Sequence, residues 1–153
     1  MNELQYNLLL CYTGRTRLSG GIIDTQVQNY VDGKEEVSHA MDELKQITVG
    51  LKNALLRGRL NEFGDLLNEA WVNKKKMAQQ ISNANIDELY SVARRLGALG
   101  GKVTGAGGGG YMFFYCPFER KHLIAEALER LGARVVHFSF DLNGLRTWEA
   151  ELA

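Results

Sequence analysis

Apolar and polar positions divide the chain into short extended runs near its ends and long helical stripes between them. "LQYNLLLCYTG", residues 4–14, is a compact apolar run rich in Leu and Tyr. It stops at Thr13-Gly14, as a buried strand entering a loop does. After the polar "RTRLS", Ile22, Ile23, Val27 and Tyr30 recur at helical spacing from a suitable N-cap, Ser19, until Asp32-Gly33 breaks the pattern. Val37, Met41, Leu44, Ile47, Leu51 and Leu55 then step by three or four residues as far as Gly58, which predicts one long amphipathic helix. Leu60, Phe63, Leu67, Ala70, Trp71, then Met77 or Ala78, and Ile81 form a second stripe. It runs antiparallel to the first if "RGR" is a short turn. A third helix opens at Asn85, with Asp87 and Glu88 in its first turn, where the helix dipole favours them. It continues through Leu89, Val92, Ala93 and Leu96 and ends between Gly97 and Gly101.

The period then switches. "YMFFYC" is a strand closed by Pro117, "FERKHLIAEALERLG" is a helix ending at Gly132, and "ARVVHFSFDL" alternates as a strand should. The expected fold class is α+β: one domain over residues 1–153 in which a small, mostly antiparallel sheet is covered on one face by helices.

Composition narrows the chemistry. Eighteen basic residues balance eighteen acidic ones, so no net field draws the chain to nucleic acid or to an anionic membrane, and neither is expected as a partner. The longest apolar runs fall far short of the roughly 20 residues a spanning helix needs, and the N-terminus lacks a basic-then-apolar leader, so a cytoplasmic protein is expected. Cys11 and Cys116 each lie in a strand-like run without metal spacing and read as buried free thiols. The lysines at 74–76 read as solvated surface, and His39, His122 and His137 have no partner at catalytic spacing.

"KVTGAGGGGYMFF" carries the distinctive chemistry. Gly105, Gly107 and Gly110 satisfy G-x-G-x-x-G, yet that fingerprint needs a strand before the glycines and a helix after them, whereas here a helix is expected before and a strand after. A Walker A reading fails as well, because Leu96 stands where its first glycine belongs and Val103 where Ser or Thr must reach magnesium. What remains is a helix-to-strand connection whose amides can turn inward as a nest of donors, or admit another segment or ligand to the backbone. A slack surface loop is the alternative, but the tight frame around the glycines favours close approach.

The same stretch resembles the third signature motif of the GHMP kinases. "NEAWVNKKKMAQQISNANIDELYSVARRLGALGGK" is similar to the segment preceding that motif, and "LLLCYTGRTRLSGGII" to the start of the C-terminal domain in the sugar-kinase subgroup that includes heptose 7-phosphate kinases and fucokinases. The resemblance implies a ferredoxin-like C-terminal domain of an ATP- and Mg2+-dependent kinase acting on a sugar or sugar phosphate. It implies that Thr104, Gly105, Ala106, Gly107, Gly108, Gly109 and Gly110 pack against the nucleotide loop and border the acceptor. Thr13 and Gly14 would shape a turn carrying Arg15 and Arg17, which fit either a substrate-phosphate pair or two solvated charges. Lys102 fits a place in the site or a dipole or packing role at a helix end.

The Pro-x-x-Gly-Leu-Gly-Ser-Ser-Ala nucleotide loop of the family has no counterpart here; "LSGGII" is too short and in the wrong order. The missing N-terminal kinase domain is therefore the expected partner. No catalytic residue, metal ligand or cofactor is assigned to this chain alone, and alone it is expected not to turn over ATP. A half-kinase of this kind would expose an apolar docking face and self-associate, while a free-standing regulatory module holding a small ligand would be monodisperse.

Overall fold

A computed structural model of the chain describes residues 2–14 and 20–149. Helix α1 (Asn2–Asn7) leads directly into strand β1 (Leu8–Tyr12). Helices α2 (Gly20–Val31), α3 (Glu35–Leu56) and α4 (Leu60–Lys76) follow, then a 3₁₀ turn (Gln79–Ile81) and α5 (Ala84–Arg95). Strands β2 (Gly100–Val103) and β3 (Tyr111–Tyr115), helix α6 (Phe118–Arg130) and strand β4 (Arg134–Val136) complete the fold.

The four strands form one sheet in the order β2-β3-β1-β4, every neighbouring pair antiparallel. That order, with helices between β1 and β2 and between β3 and β4, is a split βαβ, or ferredoxin-like, arrangement. Side chains alternate across the strands. Leu9, Cys11, Met112 and Phe114 meet Leu89 and Ala93 of α5 and Ile124 and Leu128 of α6 in the main core. Leu8 and Tyr115 join a smaller cluster with Leu67 of α4. Helices α3 and α4, joined through the short turn at Arg57–Arg59, pack along each other.

Helix α4 also comes against the β2 edge of the sheet at backbone distance. A Cβ placed on Gly100 would lie 2.6 Å from the Asn68 amide nitrogen, so only glycine permits that approach. This explains a strand missing from the sequence reading. "GGKV" is poor in β-formers and reads as a helix end, yet its glycines are what let α4 and β3 close on it.

Other boundaries also shift. The first turn of the N-terminal run is helical, with Asn7 donating to Tyr115 Oη at 3.0 Å and its carbonyl accepting from Cys116 N at 2.8 Å. The stripe expected to reach Ile81 as one helix breaks after Lys76, because Met77 O accepts from Asn29 Nδ2 at 2.9 Å and Ile81 O faces the glycine segment. The last strand stops at Val136, opposite Leu10, although β1 runs back to Leu8. Beyond it the Gln5 side chain takes over, donating to Phe138 O at 3.4 Å and accepting from Phe140 N at 3.3 Å. The N-cap expected at Ser19 lies outside the described residues.

Candidate functional site

Residues Thr104–Gly110 join β2 to β3, so the glycine segment is a hairpin loop and not a helix-to-strand connection. A strand does precede it, but no helix follows, and the dinucleotide fingerprint still fails. At the root, the Thr104 amide and hydroxyl both donate to Tyr111 O, at 2.8 and 3.2 Å. Beyond it Gly105, Gly107, Gly108, Gly109 and Gly110 all have positive φ, between +78° and +154°. Gly107 is the most constrained: at φ +116°, a Cβ would lie 2.7 Å from Ile81 O and 2.8 Å from Ile81 Cα.

The loop is pinned from two sides. Gly108 N donates to Ile81 O at 2.9 Å, and Gly108 O accepts from Asn83 Nδ2 at 3.1 Å. Asn83 is the N-cap of α5, its Oδ1 accepting from Ile86 N at 3.1 Å, so one side chain caps the helix and holds the glycine loop. Two residues on, Asn85 Nδ2 donates to Thr13 O at 3.2 Å, while Thr13 N donates to Gly110 O at 2.8 Å. The end of β1, the loop and the positive end of the α5 dipole thus converge. Among the described residues, the Gly109 and Gly110 amides have no protein acceptor. Such amides are available to an anion.

Of the residues singled out in the sequence, Thr13 is buried against this loop, and Gly14 follows it at φ +81°. Arg15 and Arg17 lie outside the described residues. Lys102 lies within β2, so the helix-end role considered for it does not apply. Asn83 is not singled out in the sequence, and Asn85 is read there only as the opening of the third helix, which in fact begins at Ala84 with Asn83 as its cap. Their signal was "SNAN" immediately before a helical stripe, where asparagine is a strong cap.

Lys74 was also passed over as part of a solvated run. It is half-buried and donates to Gln26 Oε1 at 2.6 Å. Burial, and next the repulsion of Lys102, lower its pKa from the ordinary lysine value. Among the described residues, neither ammonium has a carboxylate within 4.0 Å. Two unneutralised cations therefore share the region beside the hairpin root.

Burial pushes the thiols of Cys11 and Cys116 up to about 12, so both are protonated and inert at neutral pH. A cavity of about 950 Å³ lies toward the other end of β1, lined in part by Leu8, Leu10, Phe118, His122, Val136 and Phe138. None of the glycine-loop residues reaches it. Among the described residues no cluster of three or more His, Cys, Asp or Glu is placed to hold a metal ion, and no helix is long and apolar enough to cross a membrane.

Fold and site together define a ferredoxin-like α+β domain that presents a glycine hairpin clamped by a capped helix. Residues 51–135, more than half of the chain, match the family described as GHMP kinases C terminal, and the chain belongs to that family. The D-glycero-alpha-D-manno-heptose 7-phosphate kinase of Campylobacter jejuni is 31% identical over 147 residues, which cover 96% of this chain and 43% of that protein. Mevalonate kinase of Thermococcus onnurineus is 29% identical, over 95% of this chain and 44% of that one. Among solved structures, a D-glycero-D-manno-heptose 1-phosphate kinase from Bacteroides thetaiotaomicron superposes with a TM-score of 0.55 at 30% identity, covering 88% of this chain and 33% of its own. The chain spans less than half the length of the relatives it matches.

Proposed function

We propose that this chain is the acceptor-side half of an ATP-dependent small-molecule kinase whose acceptor is a sugar phosphate of the heptose 7-phosphate class. The observation that carries the reading is the pinned hairpin, whose Gly109 and Gly110 amides have no acceptor among the described residues. Fixed donors of this kind stabilise charge on phosphate oxygens without reorganising, which is most of what phosphoryl transfer asks of a protein. Lys74 and Lys102 add positive potential beside the hairpin root, suited to an acceptor that already bears a phosphate. Thr13 and Gly14 lead from that site into the segment carrying Arg15 and Arg17, whose planar forks match phosphate oxygens. Kinases named for heptose phosphates among the relatives favour this acceptor over mevalonate.

ATP supplies the transferred group and Mg2+ the neutralising charge. The described side chains do not form a metal cluster, so no step through the ion is assigned to this chain. Nucleotide binding belongs to an N-terminal half, carried on the same or a separate polypeptide, and residues 1–153 alone turn over no ATP. The test measures ADP release from MgATP with D-glycero-D-manno-heptose 7-phosphate and with mevalonate. It compares the chain alone with the chain joined to its nucleotide-binding half. Turnover by the joined halves with the heptose phosphate is expected. Turnover by the chain alone, or acceptance of mevalonate in place of the sugar phosphate, overturns the corresponding part of the reading.

A further inference from the structure

Helix α2 is turned inside out. Its inward side carries Ile22, 3% exposed, but also the polar Gln26, buried at 9%, and Asn29, whose amide donates to Met77 O at 2.9 Å. Its outward side carries Ile23, Val27, Tyr30 and Val31, exposed by 48, 56, 53 and 70%. Their spacing of four, three and one places them on a single stripe along three turns. An amphipathic helix that served only this domain would show the reverse polarity. Scattered apolar residues on a surface require no explanation, but a continuous helical stripe of four large ones marks a contact face.

The position of α2 indicates what covers it. Gln26, on the other side of the same helix, accepts from Lys74, whose ammonium feels Lys102 at the root of the glycine hairpin. The stripe, on the face of α2 turned away from that contact, thus belongs to the helix packed beside the lysine pair and the hairpin root. The relatives extend over more than twice the matched length, and the matched region is their C-terminal one. A nucleotide-binding half that delivers a phosphoryl group to this hairpin has to sit at this end of the sheet, against the helix beside it. We infer that the Ile23–Val27–Tyr30–Val31 face of α2 is the docking surface for that half. The inference rests on the reading of the chain as half a kinase. It commits to that occupant over a second copy of this chain, and over the exposed tail residues Leu142, Leu145 and Trp148 folding back onto α2.

The probe is the N-terminal portion of the Campylobacter jejuni relative that lies outside the matched 43%, mixed with this chain without substrate. Association is followed by sedimentation velocity and by hydrogen exchange of the α2 amides. The unaltered chain is expected to bind and to protect α2. Val27→Glu/Tyr30→Glu weakens binding by about tenfold or more, while Leu145→Glu/Trp148→Glu leaves it unchanged. Circular dichroism and the thermal midpoint confirm that the α2 variant remains folded, as expected for exposed positions. Three results overturn the proposal: no association of the unaltered chain, unchanged affinity of a folded Val27→Glu/Tyr30→Glu variant, or α2 protection that arises from self-association alone. MgATP and the heptose phosphate are added after association has been measured; a complex that forms through α2 yet then transfers no phosphoryl group refutes the kinase reading and keeps the docking face. Transfer that survives the α2 substitutions does the opposite.

Discussion

Helices α2 and α5 are each 12 residues long, and each carries apolar residues at helical spacing, yet they relate to the fold in opposite ways. In α5, Ile86, Leu89 and Ala93 are at most 1% exposed and pack on the sheet, and Asn83 caps the first turn. In α2, only Ile22 of the apolar set is buried, and polar Gln26 fills the next inward position. Periodicity identifies a helix and a stripe; it does not say whether the stripe faces its own core or another surface. What separates the two is the chemistry of the inward side, apolar in α5 and amide-rich in α2.

The largest test of this contrast falls on α5. Leu89→Ala removes a side chain 1% exposed in the main core and should cost about 2–5 kcal/mol, read as a lower urea midpoint at unchanged slope. A loss below about 1 kcal/mol would mean that α5 is held by its caps and not by burial. Next comes the loop that α5 clamps. Gly107→Ala forces a Cβ against the Ile81 backbone at a positive φ that alanine resists, and should cost about 2–3 kcal/mol. Part of that loss should appear as faster hydrogen exchange at Gly108, whose amide depends on Ile81 O.

Asn83→Ala should cost about 1 kcal/mol through the lost cap on Ile86, and should loosen Gly108 as well because the same side chain holds its carbonyl. Asn83→Asp separates the two roles. The carboxylate still accepts from Ile86 N but cannot donate to Gly108 O, so stability should recover while Gly108 exchange stays fast. If stability and exchange recover together, the cap alone orders the loop.

Much of the fold could be read in the sequence because its elements obey single rules. The α3–α4 pair follows its stripes, the β3–α6–β4 unit follows the change of period, and an α+β class follows from their order. What was missed involves partners distant in the chain. Strand β2 escaped because Gly100 and Gly101 are chosen for the approach of α4 and β3, which no local window contains. The helix of α1 hides in a run rich in Leu and Tyr, and the alternation of the last strand runs on past Val136, where the backbone of Phe138 and Phe140 bonds the Gln5 side chain and not β1. In the site, the glycines announced themselves by composition. Asn83 and Asn85 did not, because their value lies in two hydrogen bonds to segments 25 and 72 residues away. Lys74 hides in a run of three lysines, where only tertiary structure separates an ammonium turned to Gln26 from Lys75, which lies over the Trp71 ring and pairs with Asp87, and from the exposed Lys76.

The smallest effect is the one that most sharpens the comparison, because its sign should differ between the two helices. Val27→Ala on the outer face of α2 removes two methyl groups from a side chain already 56% exposed, so little burial is lost. Alanine is also the better helix former, since valine loses side-chain freedom against the preceding turn. In the isolated chain the change should therefore stay within about 0.5 kcal/mol, on the stabilising side, where truncation of Leu89 in α5 is strongly destabilising. A loss of about 2 kcal/mol in dilute protein would mean that Val27 is already covered without a second polypeptide, and the contrast between the two helices would disappear. Repeating the measurement over a range of protein concentrations locates the cover. A loss that grows with concentration places it on a second copy of the chain, and a loss independent of concentration places it within the same molecule.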